Sequence, residues 1–184
     1  MVFLNSEETK LARPLMRVLD QQVFGAELLY SESKQVEERI QHPMSIYASA
    51  IDDEKKEMLA YISLTITTER YYQKLLKGEA KEEEFEPWSE GETPLLFLRN
   101  LVARDRRATP YIFRNATKEL LKICAQHEIY IHRTFTIASH WITKRILKNY
   151  QFEEVGKYQG NYPIFMAGRD KSPVLNSFLK RYTV

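Results

Sequence analysis

The chain has 184 residues, of which 43% are apolar, with 11 Tyr and 9 Phe, and its formal net charge is +2. This size and apolar content favour one packed domain over residues 1–184 and exclude a chain that is disordered throughout. So mild a positive charge does not favour a nucleic-acid partner, because such a partner needs a one-sided basic surface.

The N-terminal sequence lacks the basic segment and apolar run of a secretory signal, and no stretch approaches the roughly 18 apolar residues that cross a bilayer. We therefore expect a cytoplasmic protein with no membrane partner. The single cysteine, Cys124, lies in a helical pattern, which excludes a disulfide within one chain and predicts a buried, unreactive thiol. The four histidines lack compact ligand spacing, so no metal site is expected.

Two amphipathic helices are predicted at the start of the chain. The first has an apolar stripe over residues 11–23, at spacings of three and four, and Ser6 as its predicted N-cap. The second covers 31–40 and is expected to end before Pro43, because the residue that precedes a proline is disfavoured in the helical conformation.

The next segments predict a hairpin and an insertion. Two strands, 46–51 and 58–66, flank a charged turn. Residues 69–92 then interrupt the strand pattern with a short helix and an acidic run. Two interpretations of its stripe around Tyr71 and Tyr72 stay open. The stripe packs on the sheet edge, or the insertion is a lid and these tyrosines bind the substrate.

The second half of the chain alternates strands and helices. The apolar run Pro94–Ala103 predicts a central buried strand, and a helix is expected to begin near Pro110. The later predicted elements are a strand at 130–138, a helix at 139–149, strands at 152–158 and 162–168, and a helical tail at 172–184. The fold class predicted from this order is α/β of the mixed α+β type, with a mixed, largely antiparallel central sheet flanked by helices.

The strand and loop from Val102 to Ile112, VARDRRATPYI, resemble a signature of the GNAT superfamily of acyl-CoA-dependent N-acyltransferases. In that family a central strand ends in a loop of the form V-x-P-E-x-R-x-x-G-x-G/A, followed by a helix. Here Arg107 falls on the family's arginine, Asp105 on its acidic position and Pro110 on one of its glycines. The resemblance implies that amides at the helix start and Arg107 bind the diphosphate of coenzyme A.

The resemblance also implies which residues contact the co-substrate, acetyl-CoA or another acyl-CoA. These predicted contacts are Leu101, Val102, Arg107, Ala108, Thr109, Tyr111 and Ile112. The family often has a carboxylate on the preceding strand, where this chain has Arg99 and Asn100. These two residues are predicted to bind the substrate, together with Tyr71 and Tyr72 of the insertion, although a structural ion pair of Arg99 with the acidic insertion stays open.

A second signature lies at 146–156, ILKNYQFEEVG, which resembles the family's helix-to-strand pattern L-Y-x-x-x-G-F. Leu147 stands where the family has the tyrosine that protonates the departing thiolate, and Gln151 stands at the glycine. Tyr150, almost one helical turn further on, is predicted to supply that proton. His140 is predicted to be the base, since histidine titrates near neutrality, although an ordinary first-turn role stays open.

The resemblance implies a transferase that moves an acyl group from acyl-CoA to an amine of a small molecule or a peptide. Whether the chain is an enzyme stays open, because the alternative is a GNAT-like module that has lost catalysis and serves in binding or assembly. A homodimer is left open as well. A weaker third interpretation gives the arginines between Arg99 and Arg114 a nucleic-acid partner.

Overall fold

The computed structural model of the protein describes residues 1–25, 34–82, 84, 86–138, 141–149 and 151–168. The described strands are β1 (Val2–Leu4), β2 (Ser45–Asp52), β3 (Glu57–Thr68), β4 (Pro94–Ala103), β5 (Arg133–Ile137), β6 (Glu153–Tyr158) and β7 (Tyr162–Gly168). The described helices are α1 (Ser6–Leu11), α2 (Arg13–Phe24), α3 (Lys34–Gln41), α4 (Glu69–Lys77), α5 (Thr109–Gln126) and α6 (Trp141–Asn149). None of these helices combines the length and apolarity needed to span a bilayer.

The strands form one mixed sheet in the order β1-β2-β3-β4-β5-β7-β6. Strand β1 is antiparallel to β2, and β7 is antiparallel to both β5 and β6. Strand β4 runs parallel to β5, and α5 is the crossover that such a connection requires. The predicted fold class, a largely antiparallel mixed sheet with helices, is confirmed.

The chain divides into two compact units. The first unit contains Met1–Leu64 with Arg99–Ile123, and the second contains Thr65–Leu98 with Cys124–Val184. The core of the first unit consists of Met16, Leu19, Val36, Ile40, Tyr47, Met58, Tyr61 and Val102. The core of the second unit includes Tyr71, Tyr72, Leu75, Leu95, Phe97, Phe135, Tyr158 and Ile164. The expectation of a single domain over the whole chain stays a prediction.

The predicted first helix is two helices, α1 and α2, which meet at Ala12. Pro14 explains the break, because it suits the first turn of α2 but has no N–H to continue a helix that began earlier. The break also changes which face is buried. The buried residues of α2 are Met16, Leu19 and Asp20, whereas Leu11, Val18 and Val23 of the predicted stripe are exposed.

The cap of α1 also differs from the prediction. Asn5, and not Ser6, is the N-cap: its Oδ1 accepts from the amide of Glu8 at 3.0 Å, and the carboxylate of Glu8 accepts from the amide of Asn5 at 2.9 Å. This reciprocal pair is a capping box. The hydroxyl of Ser6 accepts from the amide of Tyr47 at 3.0 Å instead, so Ser6 attaches α1 to β2.

Helix α6 is followed by a strained residue at the position where the family signature has glycine. Gln151 has a φ of 61°, in the left-handed region. Its amide donates to the carbonyl of Lys148 at 3.0 Å, and the amide of Phe152 donates to the carbonyl of Leu147 at 3.0 Å. These two bonds are those of a Schellman motif, which explains the family's preference for glycine at this position.

We predict that Gln151→Gly stabilises the protein. The left-handed conformation costs an L-residue roughly 1–2 kcal/mol, and the extra chain entropy of glycine offsets about half of that gain. The free energy of unfolding should therefore rise by about 0.5–1 kcal/mol, and Tm by about 2 °C, in a thermal melt. Gln73→Gly, inside α4, is the control and should lower Tm. A Gln151→Gly variant that melts at or below the wild-type temperature would contradict this account.

Candidate functional site

The loop between β4 and α5 is attached to β3. The amides of Arg104 and Asp105 both donate to the carbonyl of Leu59, at 2.9 and 3.2 Å. The guanidinium of Arg104 also donates to the carboxylate of Glu57 at 2.6 Å. A 3-10 turn at Arg106–Ala108 then leads directly into α5. All these groups belong to the first unit, so the loop that the resemblance assigns to the diphosphate has a defined position there.

The carboxylate of Asp105 is held by the groups that the resemblance assigns to the diphosphate. Its Oδ1 accepts from the amide of Arg107 at 2.9 Å and from Nε of Arg107 at 3.0 Å, and its Oδ2 accepts from Nη2 at 2.7 Å. These hydrogen bonds lower the pKa of Asp105 to about 2. The amide of Ala108 donates to the carbonyl of Asp105 at 3.1 Å, and Pro110 has no amide hydrogen. The start of α5 is thus capped by its own chain.

The predicted co-substrate contacts divide into buried and exposed side chains. Those of Val102, Ala108 and Ile112 are buried, so these residues can contribute to a ligand only through their backbone. Leu101 and Tyr111 are exposed, and the ring of Tyr111 stacks on Phe3 with centroids 5.0 Å apart. Thr109 is partly buried at the first turn of α5. The side chain of Arg107 is 87% exposed, which leaves it accessible to an anionic ligand.

The two predicted substrate-binding tyrosines of the insertion lie in the core of the second unit. The hydroxyl of Tyr71 donates to the carbonyl of Lys81 at 3.1 Å, and the ring of Tyr72 lies 5.0 Å from that of Phe135. The hydroxyl of Tyr158 accepts from the amide of Glu82 at 2.9 Å, which attaches the insertion to β6. Neither tyrosine is exposed to a substrate in this structure, and these contacts favour the packing interpretation over the lid.

The other predicted site residues have separate locations. Arg99 is buried, and Asn100 lines a cavity in the first unit. His140 and Tyr150, the predicted base and acid, lie outside the described residues, so their roles stay predictions. Leu147, at the position of the family's tyrosine, is buried in a cluster with Ala138, Phe152 and Phe165.

The cavity that Asn100 lines has a volume of about 50 Å³ and lies within the first unit. Helices α2 and α3 and strands β2, β3 and β4 all contribute side chains to it. Its polar lining includes Arg17, Asp20, Arg39, Tyr47, Tyr61 and Asn100. A small space lined by so many polar groups is suited to a polar ligand.

Asp20 is the residue of this cavity that sequence reasoning missed. It is only 8% exposed, and the hydroxyl of Tyr61 donates to its two carboxylate oxygens at 2.8 and 3.0 Å. Burial raises the pKa of Asp20 from 3.8 to about 6, although the hydrogen bond from Tyr61 acts to lower it. The sequence did contain a signal for this residue. Asp20 directly follows Leu19 on the face of α2 that is buried, and a buried acid needs a hydrogen-bond partner.

Neither the thiol of Cys124 nor a group of metal-binding side chains forms a second reactive site in the described part of the chain. Cys124 is partly buried and not fully buried as predicted, and this burial raises the pKa of its thiol to about 11, so the thiol stays protonated at neutral pH. No three His, Cys, Asp or Glu side chains of the described residues are grouped so that they could hold a metal ion.

The fold is that of the GNAT N-acyltransferases. Arabidopsis thaliana NAA60 in complex with acetyl-CoA is similar, with a TM-score of 0.53 and 14% identity over 92% of this chain and 98% of that chain. An aminoglycoside 6'-acetyltransferase type Ii has a TM-score of 0.52 and 14% identity, over 91% and 97% of the two chains. No family model matches the chain, and no curated protein matches it. At this identity the likeness confirms the predicted fold.

We predict that Asp20→Asn changes how stability depends on pH. The folded-state pKa of about 6 lies above the unfolded value of 3.8, so the folded state binds more protons between these values and loses stability as pH rises. The cost is complete above about pH 7 and amounts to about 3 kcal/mol, at about 1.4 kcal/mol for each pKa unit. The asparagine variant lacks this cost.

The measurement is the free energy of unfolding by denaturant at pH 4 and pH 7. Relative to wild type, Asp20→Asn should gain about 2 kcal/mol between the two pH values, because part of the cost is already present at pH 4, just above the unfolded pKa of 3.8. The control is Asp53→Asn, an exposed acid of the same unit whose pKa is lowered by the hydrogen bond from Lys56, so this variant should not show the gain. Equal pH dependence in Asp20→Asn and wild type would show that Asp20 does not have the raised pKa.

Proposed function

We propose that the protein is an acyl-CoA-dependent N-acyltransferase that transfers an acyl group to an amine of a small molecule or peptide in the cytoplasm. One observation carries the proposal. At the junction of β4 and α5, the guanidinium and amide of Arg107 already hold an anion, the carboxylate of Asp105. The similar solved chain of Arabidopsis thaliana NAA60 contains acetyl-CoA, which supports acyl-CoA as the ligand that competes for these groups.

Binding then requires the diphosphate to replace Asp105. The side chain of Arg107 is 87% exposed, and an ion pair so accessible to water and salt is weak. A diphosphate carries more negative charge than one carboxylate and accepts bidentate hydrogen bonds from a guanidinium. In this proposal the backbone of Leu101 and Val102 contacts the rest of the donor, and His140 and Tyr150 transfer protons.

A second candidate function is a GNAT-like binding or assembly module without catalysis. The observation that favours it is the self-capped start of α5, in which Asp105 satisfies the amide of Arg107. The burial of Leu147, at the position where the resemblance implies a catalytic tyrosine, supports it too. In this alternative the pair of Asp105 and Arg107 is a permanent cap and no acyl-CoA binds there.

The two functions differ in their affinity for acetyl-CoA and longer acyl-CoAs, measured by isothermal titration calorimetry at about 100 µM protein. For the enzyme, Arg107→Ala should weaken binding by about tenfold or more because it removes the diphosphate partner. Asp105→Asn should tighten binding, since asparagine keeps the cap but no longer competes as an anion.

Arg106→Ala is the matched control, because Arg106 is an exposed arginine of the same turn. It should bind within about threefold of wild type. Heat from none of the acyl-CoAs, or equal affinities in Arg106→Ala and Arg107→Ala, would rule out the proposed donor site and leave the second candidate.

A further inference from the structure

The cavity that Asn100 lines carries an excess of positive charge. Three arginines and one aspartate line it among the described residues, which gives a formal net charge of +2: Arg13, Arg17, Arg39 and Asp20. Glu37 pairs with Arg13 from outside this lining. Arg99 offsets that negative charge, since its positive charge acts on Tyr47 of the same cavity. A guanidinium does not lose its proton in a protein, so an anion is needed to neutralise the excess.

The carboxylate of Asp20 does not neutralise these arginines. Its two oxygens accept the hydroxyl of Tyr61 at 2.8 and 3.0 Å, and burial nevertheless raises its pKa to about 6. A guanidinium that stabilised the carboxylate would lower this pKa instead. The excess positive charge of the cavity is therefore open to an anion from outside the chain.

Arg39 is the cavity residue whose surroundings point most directly to such a ligand. It lies on α3, is only 5% exposed and donates a hydrogen bond to Tyr47. The Nε and Nη1 atoms of the same guanidinium are buried and have no hydrogen-bond partner in the described part of the chain. A charged donor that is removed from water without an acceptor is costly, so an anion that accepts from these two nitrogens would stabilise the fold.

The hydroxyl of Tyr47 offers a further donor in the same cavity. Burial raises the pKa of Tyr47, and the charges of nearby arginines act to lower it, those of Arg39, Arg99 and Arg13. An arginine has no acceptor atom, so in the bond with Arg39 the hydroxyl oxygen is the acceptor, and its own proton can be donated to a ligand. Donors and positive charge thus surround Tyr47 from α2, α3 and β4.

These features favour a phosphate group over a carboxylate as the ligand. One dianion neutralises a net charge of +2, whereas a carboxylate neutralises half of it. The oxygens of a phosphate group also point in several directions, which suits donors that come from different elements of the fold. Guanidinium groups form strong, charge-assisted hydrogen bonds with phosphate.

We propose that this cavity binds a phosphate group, to which Nε and Nη1 of Arg39 and the hydroxyl of Tyr47 donate hydrogen bonds, while Arg13 and Arg17 supply positive charge. The site goes beyond the proposed function, because it needs neither acyl-CoA nor Arg107. Inorganic phosphate and a phosphate monoester both present this group. The negative charge of Asp20 in the same cavity opposes the ligand and limits its affinity.

The first test follows Arg39 in the wild-type protein. Its Nε–H resonance, assigned by its loss in Arg39→Lys, is recorded in ¹⁵N-labelled protein while inorganic phosphate is added at constant ionic strength. At about pH 7.5 this phosphate is mostly a dianion. The resonance should shift and reach saturation with a Kd of about 1 mM or less. No shift up to about 10 mM phosphate would overturn the proposal.

Two substitutions in the cavity test its donors and its charge by the same measurement. Tyr47→Phe should raise the Kd for phosphate about tenfold, because it removes the hydroxyl and keeps the ring. The matched control is Tyr162→Phe, since Tyr162 is an exposed tyrosine of the second unit, and its Kd should stay within about threefold of wild type. Asp20→Asn should lower the Kd at least about threefold, because it removes a negative charge from the cavity.

An unchanged Kd in Tyr47→Phe or in Asp20→Asn would place the phosphate outside the cavity and overturn the proposal. Asp20→Asn keeps the test decisive if Tyr47→Phe does not fold, because this substitution is expected to stabilise the protein at neutral pH. Folding of each variant is checked by a thermal melt before the titration.

Arg107→Ala separates this site from the loop that precedes α5. The Arg39 resonance should respond to phosphate with the wild-type Kd in this variant, and loss of the response would assign the phosphate to the loop and overturn the proposal. Acetate should bind at least about tenfold more weakly than phosphate, and equal affinities would contradict a dianion site. Tighter binding of glycerol 1-phosphate than of inorganic phosphate would identify the ligand as part of a larger molecule, and the reverse order would identify the free ion.

Discussion

Strand β4 is subject to one constraint on which the architecture depends: it has to be buried as a central strand and still present polar groups at its end. Its first half satisfies the first requirement, with Leu95 and Phe97 fully buried in the second unit. In the first unit, Asn100 reaches a cavity and Leu101 is exposed. Within a few residues the strand therefore changes from fully buried apolar side chains to a polar side chain that lines a cavity and an exposed one.

In the first unit, the surroundings of two carboxylates shift their pKa values in opposite directions. Asp105 is partly buried and receives hydrogen bonds from Arg107, which lower its pKa to about 2. Asp20 is desolvated, and its pKa rises to about 6 even though Tyr61 donates to it. The first group is therefore a fixed anion at every physiological pH, and the second can exchange a proton. Acid and base roles on one fold are commonly separated by environments that differ in this way.

Elements with one dominant pattern were predictable from sequence. Strand β4 was predicted as Pro94–Ala103 because its apolar run has no competing interpretation, and its bounds agree with the structure. The start of the chain was harder, since Asn5 and Ser6 are both good capping residues and only the fold shows that Ser6 bonds to β2 instead. Pro14 carried a signal for a helix start that the apolar stripe around it obscured.

The candidate site was less predictable than the fold, because motif positions specify where a residue lies and not what it contacts. Arg107 was identified from its place in the loop, but its partner Asp105 depends on the local turn. Asp20 belongs to no recognised motif, and only the structure shows that α2 buries it beside Tyr61. For Tyr71 and Tyr72 the sequence left packing on the sheet and substrate binding both open, and in the structure both lie in the core of the second unit.

The protonated state of Cys124 has a practical consequence. It is the only cysteine of the chain, and because only the thiolate reacts with alkylating reagents, a thiol with a pKa of about 11 reacts slowly at neutral pH. A cysteine introduced at an exposed position, such as Arg106→Cys, would be alkylated first. Fluorescent dyes can therefore be attached beside the α5 start in the otherwise native chain, which makes ligand arrival there visible as a change in emission.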